Sequence, residues 1–133
     1  MAYDNPLRNE YRAVQLDLGA GAVTFTIPVP SDGSQGRSGR VTNVRLEQVT
    51  EAFPALTTLA STIRVGDGTD ADLYYDTGNI VSLAQDEDVT SFADDGAKVD
   101  IELGRSTITV TGSVNTGGTP AGIADVVVEV EWD

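Results

Sequence analysis

The densest group of chemistry-bearing side chains is Asp67-Gly68-Thr69-Asp70-Ala71-Asp72, with Asp76 close behind. Hard cations such as calcium take roughly six to eight oxygen ligands, and carboxylates in a Gly-containing loop can supply several of them. The helix-flanked calcium loop is not matched, because its acid spacing and closing Glu are missing. Asp and Gly also favour turns, so a solvated turn joining two strands explains the same residues. Asp67, Asp70 and Asp72 are therefore the candidate metal ligands, but a turn is the preferred reading and no metal or cofactor is expected. Asp86-Glu87-Asp88, with Asp94-Asp95, forms a second acidic group. If 89–93 is a short helix, those three acids fall at its N-terminal end, where the helix dipole favours them.

Catalytic chemistry has few other places to sit. The chain has no histidine and no cysteine, which removes the usual general base near neutral pH, thiolate nucleophiles and disulfides. A serine triad lacks its histidine, and the phosphate loop Gly-x4-Gly-Lys-Ser/Thr is absent. Gly117-Gly118-Thr119-Pro120-Ala121-Gly122 imitates a nucleotide loop, but the residues after it read as strand rather than helix. Paired carboxylates can cleave glycosides, yet such clefts use aromatic platforms. Here Tyr3, Tyr11, Tyr74, Tyr75, Phe25, Phe53, Phe92 and Trp132 are the whole aromatic set, and most are better used as core. The chain is not expected to be an enzyme.

Arginine is the more promising polar type. Arg8 and Arg12 lie near the start, and Arg37 and Arg40 flank a Gly/Ser-rich stretch. Guanidinium groups pair bidentately with carboxylates and are enriched at interfaces, so these four are candidate contact residues. Arg45 and Arg64 fall within strands and are expected to pair across a sheet with Glu47 or a neighbour.

Charge divides along the chain. Residues 1–66 carry equal numbers of acids and bases, whereas 67–133 hold the entire net charge of −13, with only Lys98 and Arg105 as bases. Such a field repels nucleic acid and anionic membrane, and it predicts one anionic region beside one balanced region able to dock. Arg outnumbers Lys and Asp outnumbers Glu, as in a saline habitat or a GC-rich genome. The first residues form no apolar run, so neither a secretory signal nor a membrane span is expected, and synthesis in a cytosol follows.

The elements that position these groups read as strands. At 133 residues and 40% hydrophobic content, one domain with an adequate core is expected. Apolar residues alternate at Val14, Leu16 and Leu18, and again at Val23, Phe25, Ile27 and Val29, predicting a hairpin across Gly19-Ala20-Gly21. Pro28 and Pro30 end the second strand, and 31–39 is a turn-rich loop expected to be mobile. A third strand over 41–50 points Val44 and Leu46 inward, and short strands follow at 62–65 and 73–75. Val99, Ile101 and Leu103, then Ile108 and Val110, predict a second hairpin across Gly104-Arg105-Ser106. The terminal strand 124–132 places Ala124, Val126, Val128, Val130 and Trp132 on one face. Eight or so half-buried strands about ten residues apart predict an all-β, antiparallel two-sheet sandwich. A jelly roll is the first choice and an immunoglobulin-like sandwich the second, with at most one or two short helical turns. The division is a flexible N-terminal arm at 1–10 and one β-sandwich domain at 11–133.

A cysteine-free, histidine-free, acidic sandwich of this size resembles the head decoration (cement) proteins of tailed bacteriophages. The resemblance is carried by the Gly/Ala/Thr/Val-rich strands 99–114 and 124–132, the loop 115–122 and the polar segment 1–10. It implies a virion structural protein made in the host cytoplasm that docks on the capsid exterior, with the major capsid protein as partner. It also implies a homo-trimer at three-fold positions, the anionic half facing solvent and Arg8, Arg12, Arg37 and Arg40 meeting the shell. Many lattice copies make modest single contacts sufficient. Neither nucleic acid nor membrane is an expected partner. The alternative is a carbohydrate- or receptor-binding module of a tail or cell surface, using calcium at Asp67–Asp72 and stacking on Tyr74 or Tyr75.

Overall fold

The computed structural model of the chain describes residues 7–32, 35–36, 38–55, 58–88, 99–117 and 119–132. Nine strands follow one another: β1 (Leu7–Asp17), β2 (Val23–Pro28), β3 (Ser31–Asp32), β4 (Gln35–Gly36), β5 (Gly39–Glu51), β6 (Ile63–Gly66), β7 (Tyr75–Asp76), β8 (Thr107–Gly112) and β9 (Ile123–Trp132). They pair antiparallel into a three-stranded sheet β1-β9-β5, a four-stranded sheet β2-β8-β6-β7 and a small β3-β4 pair. The described residues contain no helix. The protein is an all-β antiparallel two-sheet sandwich. The expected helical segment 89–93 lies outside the described residues.

Both larger sheets contribute to one core. Val44, Leu46, Val126, Val128, Val130 and Trp132 come from the first sheet, and Ile63, Val65, Ile108 and Val110 from the second. Each fully buried aliphatic of this kind stabilises by about 1.5–3 kcal/mol relative to exposure. Strand β9 is the central strand of its sheet, and its predicted inward set is buried from Ala124 to Trp132.

Four expectations change. The first two strands are not a hairpin: β1 pairs with β9 and β2 with β8, so the 19–21 turn carries the chain from one sheet to the other. Alternation reveals a half-buried strand but not its partner. The second predicted hairpin is also absent. Ile101 makes one bridge to Gly39, while Val99 and Leu103 stay exposed and a turn at 102–105 leads into β8. The loop 31–39 includes the β3-β4 pair; its residue Arg37 lies outside the described residues. Strand β1 begins at Leu7, taking in four positions assigned to the arm, and residues 1–6 lie outside the described residues.

Three register shifts explain where the alternation changes face. In β1 the register shifts between Ala13 and Leu16, around Gln15 at φ 51°. Val14 is therefore 66% exposed, while Leu18, two intervals later in the expected pattern, is buried. In β5 shifts occur between Val41 and Asn43 and between Glu47 and Glu51, with Gln48 at φ 52°. The β1 shift and the first β5 shift each add one residue and move the following side chains to the opposite face, and the second β5 shift adds two.

Candidate functional site

Cross-strand register determines which charges meet. Arg8 and Arg40 both stand opposite Glu131, and Arg12 and Arg45 both stand opposite Val127. Partners opposite one another share a face, so arginines from two separated strands, β1 and β5, reach the outer face of the β1-β9-β5 sheet. Arg8 Nη2 donates to Glu131 at 2.8 Å, and Arg40 pairs with Asp100 at 3.0 Å. A cleft of about 270 Å³ opens here, lined by Gly39, Arg40, Thr42, Asp100 and Glu131.

Further along the face the charges interlock. Arg45 donates to Glu10 at 2.7 Å, Glu47 at 3.0 Å and Glu129 at 3.1 Å. Arg12 donates to Glu47 and, at 2.8 Å, to Asp125. Asp125 also accepts both the backbone and side-chain N–H of Gln15 at 2.9 Å. Between the two arginines Val127 is fully buried on this outward face, which the stems of Arg12 and Arg45 account for. Arg45 pairs with Glu47 along its own strand and across the sheet with Glu129 and Glu10, and Arg64 pairs with Asp76 across the second sheet.

The ladder sets the protonation of its members. Hydrogen bonds from Arg45 and then Arg12 hold the Glu47 carboxyl below the ordinary carboxylate range, and Arg45 does the same for Glu10. Burial alone would raise Asp125, but the Gln15 and Arg12 hydrogen bonds outweigh it and hold it low. Arg45 is raised, first by Glu10 and then by Glu47. All these groups stay charged at neutral pH, so the face is a fixed pattern of alternating sign.

The acidic loop behaves as a turn. Asp67 Oδ1 accepts the backbone N–H of Thr69 at 2.8 Å and of Asp70 at 2.6 Å, holding the carboxyl low. Its other oxygen lies 3.5 Å from Arg105 Nη2. Asp70 is raised, chiefly by its hydrogen bond with Asp72. Asp67 thus faces the backbone and Arg105, while Asp70 and Asp72 face each other; among the described residues no three acids converge to hold a metal ion. Asp86–Asp88 covers the edge of β5: Asp86 N–H donates to Val49 and Asp88 accepts from Gln48 N–H. Tyr74, proposed for stacking, is buried, and burial raises its hydroxyl pKa.

The lengthwise division of charge is not a division in space. Asp76, Asp100, Asp125, Glu129 and Glu131, all from the anionic half, pair with first-half arginines. For Asp125, Glu129 and Glu131 the cause is topological: the last strand inserts between β1 and β5. At this face the balanced and anionic halves of the chain are interleaved rather than apart.

Fold and face together define an all-β sandwich with a charge-patterned sheet surface. No protein-family model and no curated protein matches the chain. Among solved structures it is similar to a chain of the cyanophage Pam1 capsid asymmetric unit, at 15% identity and a TM-score of 0.31, over all of this chain and 90% of that one. Sequence reasoning singled out Arg8, Arg12 and Arg40, which this face brings together. It missed Glu131 and Asp100 as their partners, and only the register could have supplied them.

Proposed function

We propose that this chain is a virion structural protein that binds the outer surface of an assembled phage capsid, through the major capsid protein, and stabilises it. The carrying observation is the convergence of Arg8, Arg12 and Arg40 on one outer sheet face. The Arg8 and Arg40 side chains remain about two-thirds exposed despite their ion pairs (66% and 65%). A guanidinium exposed and held in place can take a second carboxylate from a partner at little ordering cost. The reading no longer draws on charge poles. It draws on this face and on the resemblance of the sequence to capsid decoration proteins.

Expanded capsids lacking the chain are the test material. Wild-type protein should co-sediment with them saturably. Arg8→Glu and Arg40→Glu, checked to be folded at the assay temperature, should each bind at least roughly tenfold more weakly, since a charged partner pair is worth a few kcal/mol at a desolvated contact. Absence of wild-type binding, or binding by both variants as tight as wild type, would refute the assignment. Calcium should leave the midpoint unmoved; a rise of several degrees would favour the sugar- or receptor-binding alternative.

A further inference from the structure

The sandwich is closed along one side and open along the other. On the closed side the outer edge of β5 is covered: Ile101 donates to Gly39, Phe53 to Leu83 and Asp86 to Val49, all at 2.7–2.8 Å. The matching edge of the second sheet is β7, only two residues long. On the open side the sheets end in β1, of eleven residues, and β2, of six, and among the described residues neither is paired along its outer edge. Among the described residues no strand or backbone hydrogen bond covers the outer edge of β1. Four of the five half-buried apolar residues packed against the core lie on these two strands: Tyr11, Leu16, Val23 and Phe25. The open side therefore combines unpaired backbone with incompletely covered apolar surface.

Free edges invite pairing, and proteins usually blunt them with prolines, short length or like charges. β2 is short and ends in Pro28. β1 carries neither device over 7–13, and its exposed side chains there alternate in sign: Arg8, Glu10, Arg12. Against a copy of itself that pattern attracts. An antiparallel two-fold placed at Tyr11 puts Glu10 opposite Arg12 of the second copy, and Arg8 opposite Val14, in both halves. It also brings Tyr11 against Tyr11 on the half-buried face. We infer that β1 is a self-pairing edge: a second copy of this chain adds to it antiparallel about Tyr11, joining two three-stranded sheets into one of six. This is a two-fold contact, in place of the trimer that the resemblance implies. It shares Arg8 and Arg12 with the capsid reading, so the two are told apart by variants at Val14, which only this contact uses, and at Arg40, which only the capsid reading uses.

Val14 gives a clean test, being exposed and, as an apolar side chain, outside the ion-pair ladder. In the dimer it faces Arg8 of the other copy twice. Sedimentation equilibrium of the full chain should show a reversible dimer. Val14→Glu should tighten it and Val14→Lys weaken it, so that the two dissociation constants differ roughly tenfold or more. Both variants place one charged side chain at the same exposed site, so their melting midpoints at high dilution should agree. Arg40→Glu, aimed at the capsid reading, should leave the dimer unchanged. The inference is overturned if the chain is monomeric up to millimolar concentration, even if it then binds capsids. It is equally overturned by a dimer or trimer whose constants are the same for Val14→Glu and Val14→Lys.

Discussion

At the scale of single residues, Asp125 has the most consequences. It is buried, holds the β1 bulge through both nitrogens of Gln15, and anchors Arg12. Gln15 also donates to Gln48 O at 3.0 Å and accepts from Thr50 at 2.6 Å, so the bulges of β1 and β5 are tied together across β9. Removing the carboxylate leaves the Gln15 N–H without its acceptor and Arg12 with only Glu47. Asp125→Ala should cost about 2–3 kcal/mol in chemical denaturation at neutral pH, the range for hydrogen bonds to a charged group. A loss under about 0.5 kcal/mol, typical of a surface site, would mean that the bulge stands without it. Sequence alone marked Asp125 only as an outward residue of the last strand, since its partners lie 110 and 113 positions away.

At the scale of elements, the end of β9 depends on a close approach. Trp132 is buried and its indole N–H donates to Tyr11 Oη at 3.3 Å. Opposite it stands Gly39, where an added Cβ would fall 2.5 Å from Trp132 Cε3 and 2.7 Å from the Glu131 carbonyl oxygen. The second contact is with backbone, so the strand itself would have to move. Trp132→Ala should cost about 3–5 kcal/mol, and Gly39→Ala about 1–3 kcal/mol as overpacking. Unshifted thermal midpoints in either variant would contradict this packing. The role of Trp132 was readable from its place in the 124–132 alternation. That of Gly39 was not, because its demand comes from a residue on another strand. Any trial of the N-terminal segment must also respect β1. Deleting 1–10 removes the Arg8–Glu131 and Arg45–Glu10 pairs, whereas deleting 1–6 leaves the strand whole.

At the scale of the whole molecule, the charge ladder sets the response to acid. Glu10, Glu47, Asp67 and Asp125 all lie below their ordinary values. Each therefore stabilises the fold above its unfolded pKa, near about 4, and loses that contribution as pH falls through the folded value. Asp70, raised by Asp72, works in the opposite sense: it favours the fold when protonated and loses that contribution as pH rises. Among the described residues the carboxyls held low are the larger set, so acid is expected to destabilise the fold. Self-repulsion in a chain of net charge −13 is relieved on acidification, so the measurement belongs at about 0.5 M salt, where it is screened. The thermal midpoint should be flat from about pH 7 to 5 and fall below about pH 4. A midpoint unchanged at about pH 3 would show that the ladder adds nothing to stability.

By itself the sequence determined the local facts: strands from period-two alternation, their ends from Gly and Pro, the inward set of β9, and arginine as the polar type to follow. Each depends on neighbours a few positions apart, which composition and spacing encode directly. Only the tertiary structure decided that β9 lies between β1 and β5, that bulges turn Val14 outward, and that late acids neutralise early arginines. Those outcomes depend on which strands pair and in what register, a choice made by packing over a hundred residues of separation that a short-range pattern does not contain.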